Sequence, residues 1–128
     1  VLLMGVKIKR AAILEEADLA LMARVTNVEA ANVTQATISA VAVKVFDADD
    51  EQVGSTASPS VSSTIFDSLQ TGNGWDVDSS GYNFRYVVPG ATYFLAPGTH
   101  RVEVALTPTS GSDISIVWDV SVSDLKGK

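Results

Sequence analysis

The chain has 128 residues, a length typical of one domain that buries a hydrophobic core of its own. Apolar residues make up 46% of it and charged residues 19%, which excludes an intrinsically disordered chain. It contains no cysteine, so neither a disulfide nor a thiolate metal site is available to it. Its net charge of −6 would repel a phosphate backbone and argues against nucleic acid as a partner.

The start of the sequence, VLLMGVKIKR, differs in charge from the rest because it carries three basic residues and no acidic one. Its apolar residues precede the basic ones, which is the reverse of a secretory signal. No apolar run approaches the ~18 residues that a membrane span requires. We therefore expect neither export by such a signal nor a membrane partner.

Residues 1–18 precede the strand pattern and are predicted to form an N-terminal arm. The spacing of apolar residues in KRAAILEEADLAL also fits one or two helical turns, so a short helix remains the alternative to an extended arm. Apolar side chains on such an arm would need a partner surface, for example the sheet edge of a neighbouring subunit. The candidate partner-binding residues of the arm are Val6, Ile8, Arg10, Ile13 and Leu14.

Period-two alternation of apolar and polar residues predicts strands in the first half of the chain. The first strand is expected within residues 17–26, ADLALMARVT. Residues 37–47, TISAVAVKVFD, are apolar on both faces, which is typical of a central strand or of a strand with a bulge. Residues 60–69, SVSSTIFDSL, form a weaker candidate strand.

The alternation is clearest in the second half of the chain. Residues 82–88, YNFRYVV, predict one strand. Residues 100–107 and 114–122 predict an antiparallel hairpin, because the Gly/Ser turn at 109–113 separates two alternating runs. Six or more short strands indicate an all-β, antiparallel sandwich over residues 19–128, as a single domain.

The run D-x-D-x-S-G, formed by Asp76, Asp78, Ser80 and a glycine, resembles the opening of a calcium loop. The twelfth position counted from Asp76 is Val87, where such a loop needs a glutamate. A turn stabilised by side-chain-to-backbone hydrogen bonds is therefore favoured over a metal site. The alternative requires the acidic segment 47–51, DADDE, to supply further ligands. No cofactor is predicted.

The sequence offers no recognisable catalytic set. His100 is the only histidine, and no G-x-S-x-G motif accompanies the serines. Since His100 begins an amphipathic strand on its apolar face, we expect it to pack in the core. Most aromatic residues fall at alternating strand positions, but Trp75, Tyr93 and Phe94 lie in predicted loops where they would be able to contact a ligand. The chain is therefore not predicted to be an enzyme.

Two phrases in the second half resemble known proteins. YNFRYVVP (82–89) and APGTHRVEV (96–104) are similar to the last strands of immunoglobulin-like sandwiches, with His100 where tyrosine is common. The stretch FDSLQTGNGWDVDSSGYNFRYVVP also resembles small proteins from the structural gene clusters of tailed phages. The resemblance covers about residues 20–123, and it indicates fold better than function.

This resemblance implies an immunoglobulin-like sandwich that belongs to a virion, as a capsid decoration or cement protein or as a tail or baseplate component. Its partners would be capsid or tail subunits or copies of itself, in a homo-oligomer or larger assembly. The alternative is an extracellular module for carbohydrate binding or adhesion. Trp75 and Tyr93 are the loop candidates for partner or ligand contact in either case.

Overall fold

The structure, a computed structural model, describes residues 8–126 and is all-β, with two short helices. The strands and helices of the described residues are β1 (Ile8–Leu14), β2 (Leu19–Ala23), β3 (Ile38–Phe46), β4 (Gln52–Ala57), α1 (Val61–Thr64), β5 (Ile65–Gln70), β6 (Tyr82–Val88), α2 (Gly90–Tyr93), β7 (Gly98–Pro108) and β8 (Ile114–Ser123).

A five-stranded sheet has the order β1-β8-β7-β3-β4. Its β7 and β8 form the predicted hairpin, with unbroken register from Gly98 opposite Val122 to Leu106 opposite Ile114. The central position of β3, between β7 and β4, confirms the prediction from its two apolar faces. β3 also contains register shifts against both neighbours, so the bulge that the sequence suggested is present as well.

A three-stranded sheet has the order β2-β6-β5. β2 pairs with β6 in continuous antiparallel register, from Leu19 opposite Val88 to Ala23 opposite Phe84. β5 is much less regular, because its register against β6 shifts between Ile65 and Gln70. This sheet is therefore positioned less by backbone pairing than the larger one.

The two sheets enclose one hydrophobic core. Phe84 from β6 faces Trp118 from β8, with the two ring centroids 6.1 Å apart. Around them, Val102 and Leu106 of β7 and Ile65 of β5 are completely buried. Since burying one such aliphatic side chain contributes about 1.5–3 kcal/mol, this core is the main source of stability in a chain without disulfides.

The predicted arm is partly incorporated in the sheet. Residues 8–14 form β1, which runs parallel to β8 at one edge, from Ile8 beside Val117 to Leu14 beside Ser123. The described part of residues 1–18 contains no helix. Ala11 and Ile13, on alternate positions, pack against the core, and this burial explains why the segment is extended and docked.

Two segments differ from the sequence-based expectation. The strand predicted over residues 60–69 is wrong in its first half, where α1 forms instead. There the Ser63 and Thr64 hydroxyls donate to the Ser60 carbonyl oxygen, at 2.9 and 3.1 Å. These hydrogen bonds stabilise a local helical turn in place of strand pairing. The loop expected before β7 contains α2, whose Gly90 packs so closely on the Ala17 carbonyl that a Cβ has no room.

Candidate functional site

The segment between β5 and β6, residues 71–81, is a loop organised by Asp78. Asp78 Oδ1 accepts the backbone N–H groups of Ser80 and Gly81, each at 3.0 Å, which is the hydrogen-bonding pattern of an Asx turn. Gly81 has a φ of 104°, and a Cβ there would collide with the Gln70 carbonyl. The loop conformation therefore requires both residues.

Arg24, just after β2, binds the same carboxylate in a bidentate manner. Its Nη2 lies 2.8 Å from Asp78 Oδ2 and its Nη1 3.0 Å from Oδ1, while Nη1 also donates to the Gly81 carbonyl at 3.1 Å. The hydrogen bond from Arg24, then that from the Gly81 N–H, holds the pKa of Asp78 well below its usual range. The same hydrogen bond raises the pKa of Arg24. Sequence analysis missed this partner, because 54 positions separate the two residues.

This geometry agrees with the turn interpretation of the D-x-D-x-S-G run. The Asp78 carboxylate is already bound by a guanidinium and two backbone N–H groups. The other two weak metal candidates, Asp76 and Ser80, are exposed. Within residues 8–126, no group of three or more histidine, aspartate or glutamate side chains is placed to hold a metal ion.

The acidic segment 47–51 connects β3 to β4 as a hairpin turn. Asp47 Oδ1 accepts the backbone N–H groups of Asp49 at 2.9 Å and of Glu51 at 3.1 Å. Asp50 adopts a positive φ of 62°, which aspartate tolerates in turns. The segment is thus a second Asx-type turn at the tip of a hairpin.

Trp75 is held against the loop rather than projecting from it. Its Nε1 donates to the Asp78 carbonyl at 3.0 Å, and its ring centroid lies 5.5 Å from that of Tyr82. Tyr82 in turn contacts Phe66 edge-on at 5.7 Å and accepts a hydrogen bond from Asn73 Nδ2 at 2.8 Å. Trp75 remains partly exposed and so is a packing residue with one accessible side.

The expectation that Tyr93 and Phe94 are exposed loop residues is wrong. Tyr93 is 8% exposed and Phe94 is fully buried. The Tyr93 hydroxyl donates to the Ser55 carbonyl at 2.9 Å, and Phe94 meets His100 edge-on at 5.7 Å. Their burial follows from α2, which turns both rings towards the core.

His100 packs in the core, as its position on the apolar face of β7 predicts. It is 4% exposed, and its Nδ1 lies 3.2 Å from the carbonyl oxygen of Gly98. Its ring fills space beside Phe94. The structure therefore places the only histidine of the chain in a packing role.

The arm candidates lie at the exposed edge of the five-stranded sheet, except Val6, which lies outside the described residues. Ile8 is 50% exposed and Leu14 49% exposed, and Arg10 is exposed beside Asp119 of β8. Ile13 is half-buried against the core. These residues thus share one strand, with Ile8, Arg10 and Leu14 on its solvent face and Ile13 on its core face.

The side of β1 that points away from β8, here called the outer edge of β1, is the most regular sheet edge among residues 8–126. β1 pairs over seven positions without a register shift. Of the other edge strands, β4 contains Gly54 with a φ of 68° and a shifted register, and β5 is shifted as well. β2 is regular but has only five residues. Bulges and short length protect sheet edges from pairing, and β1 has neither.

Two shallow hollows lie on the five-stranded sheet within residues 8–126, and one of them is at the β1 edge. One, of about 400 Å³, lies at the end of β1 and is lined by Ala12, Ile13, Leu14, Ala17 and Ser123. The other, of about 260 Å³, lies on the solvent face of the five-stranded sheet, where small side chains such as Ala42, Ala105 and Ser115 leave a depression. Both hollows are open to solvent rather than enclosed.

Asn83 is a second residue whose role the sequence analysis missed. It is 1% exposed, and its Oδ1 accepts the Val25 N–H at 2.7 Å. Its Nδ2 donates to the carbonyls of Val25 at 3.0 Å and Val33 at 3.3 Å. This amide therefore fixes the segment after β2 to β6. The only feature of the sequence that could have indicated this role is that Asn83 is a polar residue within the alternating run YNFRYVV.

In comparisons with known proteins, no family model and no curated protein matches the chain. Among residues 8–126, no helix is long and apolar enough to cross a membrane.

Proposed function

We propose that this chain is a non-enzymatic structural component of a virus- or phage-like particle and acts through protein–protein contacts. The observation that carries the proposal is the outer edge of β1. It is a regular edge of seven residues, flanked on the solvent face by the half-exposed Ile8 and Leu14. Such an edge is a template for strand addition by a neighbouring chain.

The body that presents this edge is proposed to be an immunoglobulin-like sandwich. In the constant type of this sandwich, strands A, B, E and D form one sheet, and strands C, F and G form the other. We letter β1 to β8 as A, B, C, C′, D, E, F and G in chain order. The sheet orders β2-β6-β5 and β8-β7-β3-β4 then become B-E-D and G-F-C-C′. One departure is that β1 lies beside β8, whereas the first strand of the constant type lies beside the second.

Strand addition at this edge has a simple physical basis. On an edge strand, alternate residues direct their backbone N–H and C=O groups away from the sheet. An added strand would pair these groups and cover the apolar atoms of Ile8 and Leu14. The exposed Arg10 makes the edge locally basic on a chain whose net charge is −6.

The extracellular carbohydrate or adhesion alternative has less support. It relied on Trp75 and Tyr93 as exposed aromatic contacts. Tyr93 is buried, and the Trp75 Nε1 is occupied by Asp78, so the two rings do not form a platform. The particle component is therefore the function we propose.

The experiment that tests the proposal is mass spectrometry of particles purified from cells that carry this gene with its neighbours. We expect the chain to be present at fixed stoichiometry. The double variant Ile8→Asp/Leu14→Asp should reduce incorporation at least tenfold, because it places charges beside the edge that must be covered. Val77→Asp, the same kind of change at a residue that is 68% exposed in the 71–81 loop, is the matched control.

Substitution is preferable to deletion of residues 1–16. Deletion would remove β1 from its pairing with β8 and so damage the sheet itself. Circular dichroism should show that both variants remain folded. Absence of the chain from purified particles, or equal incorporation of the double variant and the wild type, would contradict the proposed function.

A further inference from the structure

We infer that the outer edge of β1 pairs with the outer edge of β1 from a second copy, antiparallel and centred on Ala11. This inference rests on the proposed function, since it names the partner of the same edge. The pairing would join two five-stranded sheets into one continuous sheet with two-fold symmetry.

The sequence of β1, IKRAAIL, is compatible with its own reverse. With Ala11 opposite Ala11, Ile8 lies opposite Leu14. In the same register Lys9 lies opposite Ile13, and Arg10 lies opposite Ala12. Apolar residues thus meet at both ends of the pair, and small residues meet at its centre.

The basic residues select this register. Centring the pair on Arg10 instead places two like charges directly opposite each other, which is destabilising. Centring it on Ala12 leaves Ile8 and Lys9 without an opposite residue in β1. The register centred on Ala11 pairs all seven residues of the strand and places no basic residue opposite another.

The shape of the edge fits the same register. Opposite residues in an antiparallel pair have Cβ atoms about 4.5–5.5 Å apart. Ile8 of the second copy would therefore reach Leu14, at the hollow of about 400 Å³ that Ala12 and Leu14 line. The two residues are 50% and 49% exposed in the single chain, and each would be covered by the other.

On the solvent face of the pair, charged side chains of the two copies come close to each other. In one chain Arg10 lies beside Asp119, and Asp119 accepts a hydrogen bond from Arg101 Nε at 3.2 Å. Arg101, Asp119 and Arg10 thus lie side by side across β7, β8 and β1, and in the pair Ala12 of the second copy lies beside Arg10. The two Arg10 side chains are diagonal neighbours at about 7–8 Å, each beside the Asp119 of its own chain. The pair is consequently weakened by repulsion, and salt should strengthen it.

The test uses charge substitutions at Ala12, an exposed residue. Ala12→Glu places an acid opposite Arg10 of the second copy, twice in the symmetric pair, and Ala12→Arg places a base there. By sedimentation equilibrium, we expect the dissociation constant to fall roughly threefold to tenfold for Ala12→Glu and to rise as much for Ala12→Arg. Raising the salt concentration should strengthen wild-type association, since two chains of net charge −6 repel each other.

Disulfide trapping tests the register independently, because the natural chain has no cysteine. Ala11→Cys places two cysteines directly opposite each other in the pair. Opposite Cα atoms of antiparallel strands are about 4.5–5.5 Å apart, within the ~4.4–6.8 Å that a disulfide requires. Ala12→Cys is the matched control, since its two copies would be diagonal and beyond that range. Under mild oxidation we expect a covalent dimer from Ala11→Cys and little from Ala12→Cys.

The outcomes separate this inference from the proposed function. A chain that remains monomeric at millimolar concentration and high salt overturns the inference, as does an equal response to Ala12→Glu and Ala12→Arg. If the edge variants nonetheless lose incorporation into particles, the proposed function stands with a different partner. If the chain dimerises as expected but is absent from particles, the dimer stands and the particle function fails.

Discussion

The β7–β8 hairpin and the region from β5 to β6 are held in place in different ways. The hairpin keeps one register over nine residue pairs, and its apolar side chains alternate into the core without interruption. β5 and β6 share only the pairs Ile65 opposite Phe84 and Gln70 opposite Tyr82. The chain around them is positioned by polar side chains, chiefly Asn83 and Asp78.

The difference shows that this fold uses two kinds of constraint. Continuous alternation distributes the stabilisation over many apolar contacts, so the hairpin should respond to loss of core volume. Where the alternation is interrupted, single side chains carry the structure, so that region should respond to loss of specific hydrogen bonds. The predictions below test this contrast.

The largest effect is expected from Trp118→Ala in β8. Trp118 is 4% exposed and packs against Phe84, so truncation leaves a large cavity. We expect the free energy of unfolding to fall by about 3–5 kcal/mol, measured by urea denaturation. Ser121→Ala, at an exposed position of the same strand, is the control and should change it by less than about 0.5 kcal/mol. If both variants lowered the free energy of unfolding by a similar amount, apolar packing would not be what stabilises the hairpin.

A smaller effect is expected from Asn83→Ala in β6. The change leaves the buried N–H of Val25 without its partner, whereas the Val25 carbonyl still accepts the Val33 N–H at 3.1 Å. An unsatisfied buried polar group costs about 1–3 kcal/mol, and we expect a loss of that size together with faster amide hydrogen exchange at Val25.

Asn32→Ala is the matched control, because Asn32 lies in the same connecting segment and is exposed. Its stability and exchange rates should remain close to wild type. If Asn83→Ala were as mild as this control, Asn83 would not be the residue that fixes the segment.

The smallest effect is expected from Asp78→Asn, and it should depend on pH. Because the folded-state pKa of Asp78 is lowered, its contribution is present above the unfolded-state pKa of about 3.9 and is lost as pH falls below that value. The difference in unfolding free energy between wild type and Asp78→Asn should therefore narrow from pH 6 to pH 3.

Arg24→Gln provides the control background for this measurement. In that background the hydrogen bond that mainly lowers the pKa of Asp78 is absent, so the pH-dependent part of the difference should be much reduced. An unchanged difference in the Arg24→Gln background would show that Arg24 is not the cause.

The sequence by itself determined the elements whose signal is local. Alternation identified the β7–β8 hairpin, the central β3 and the core position of His100, because a strand exposes alternate residues to opposite faces whatever lies around it. The missing twelfth-position glutamate indicated that the run at Asp76 is a turn. The same reasoning failed at residues 60–64, where hydroxyl groups that bond the nearby backbone form α1 instead of a strand.

Only the tertiary structure decided which distant residues meet. It joined Arg24 to Asp78 and Asn83 to Val25, and it turned Tyr93 into the core. It also placed β1 at the edge of the larger sheet, parallel to β8. Sequence periodicity tells which face of a strand is buried but not which strand lies beside it, since pairing depends on how the whole core packs.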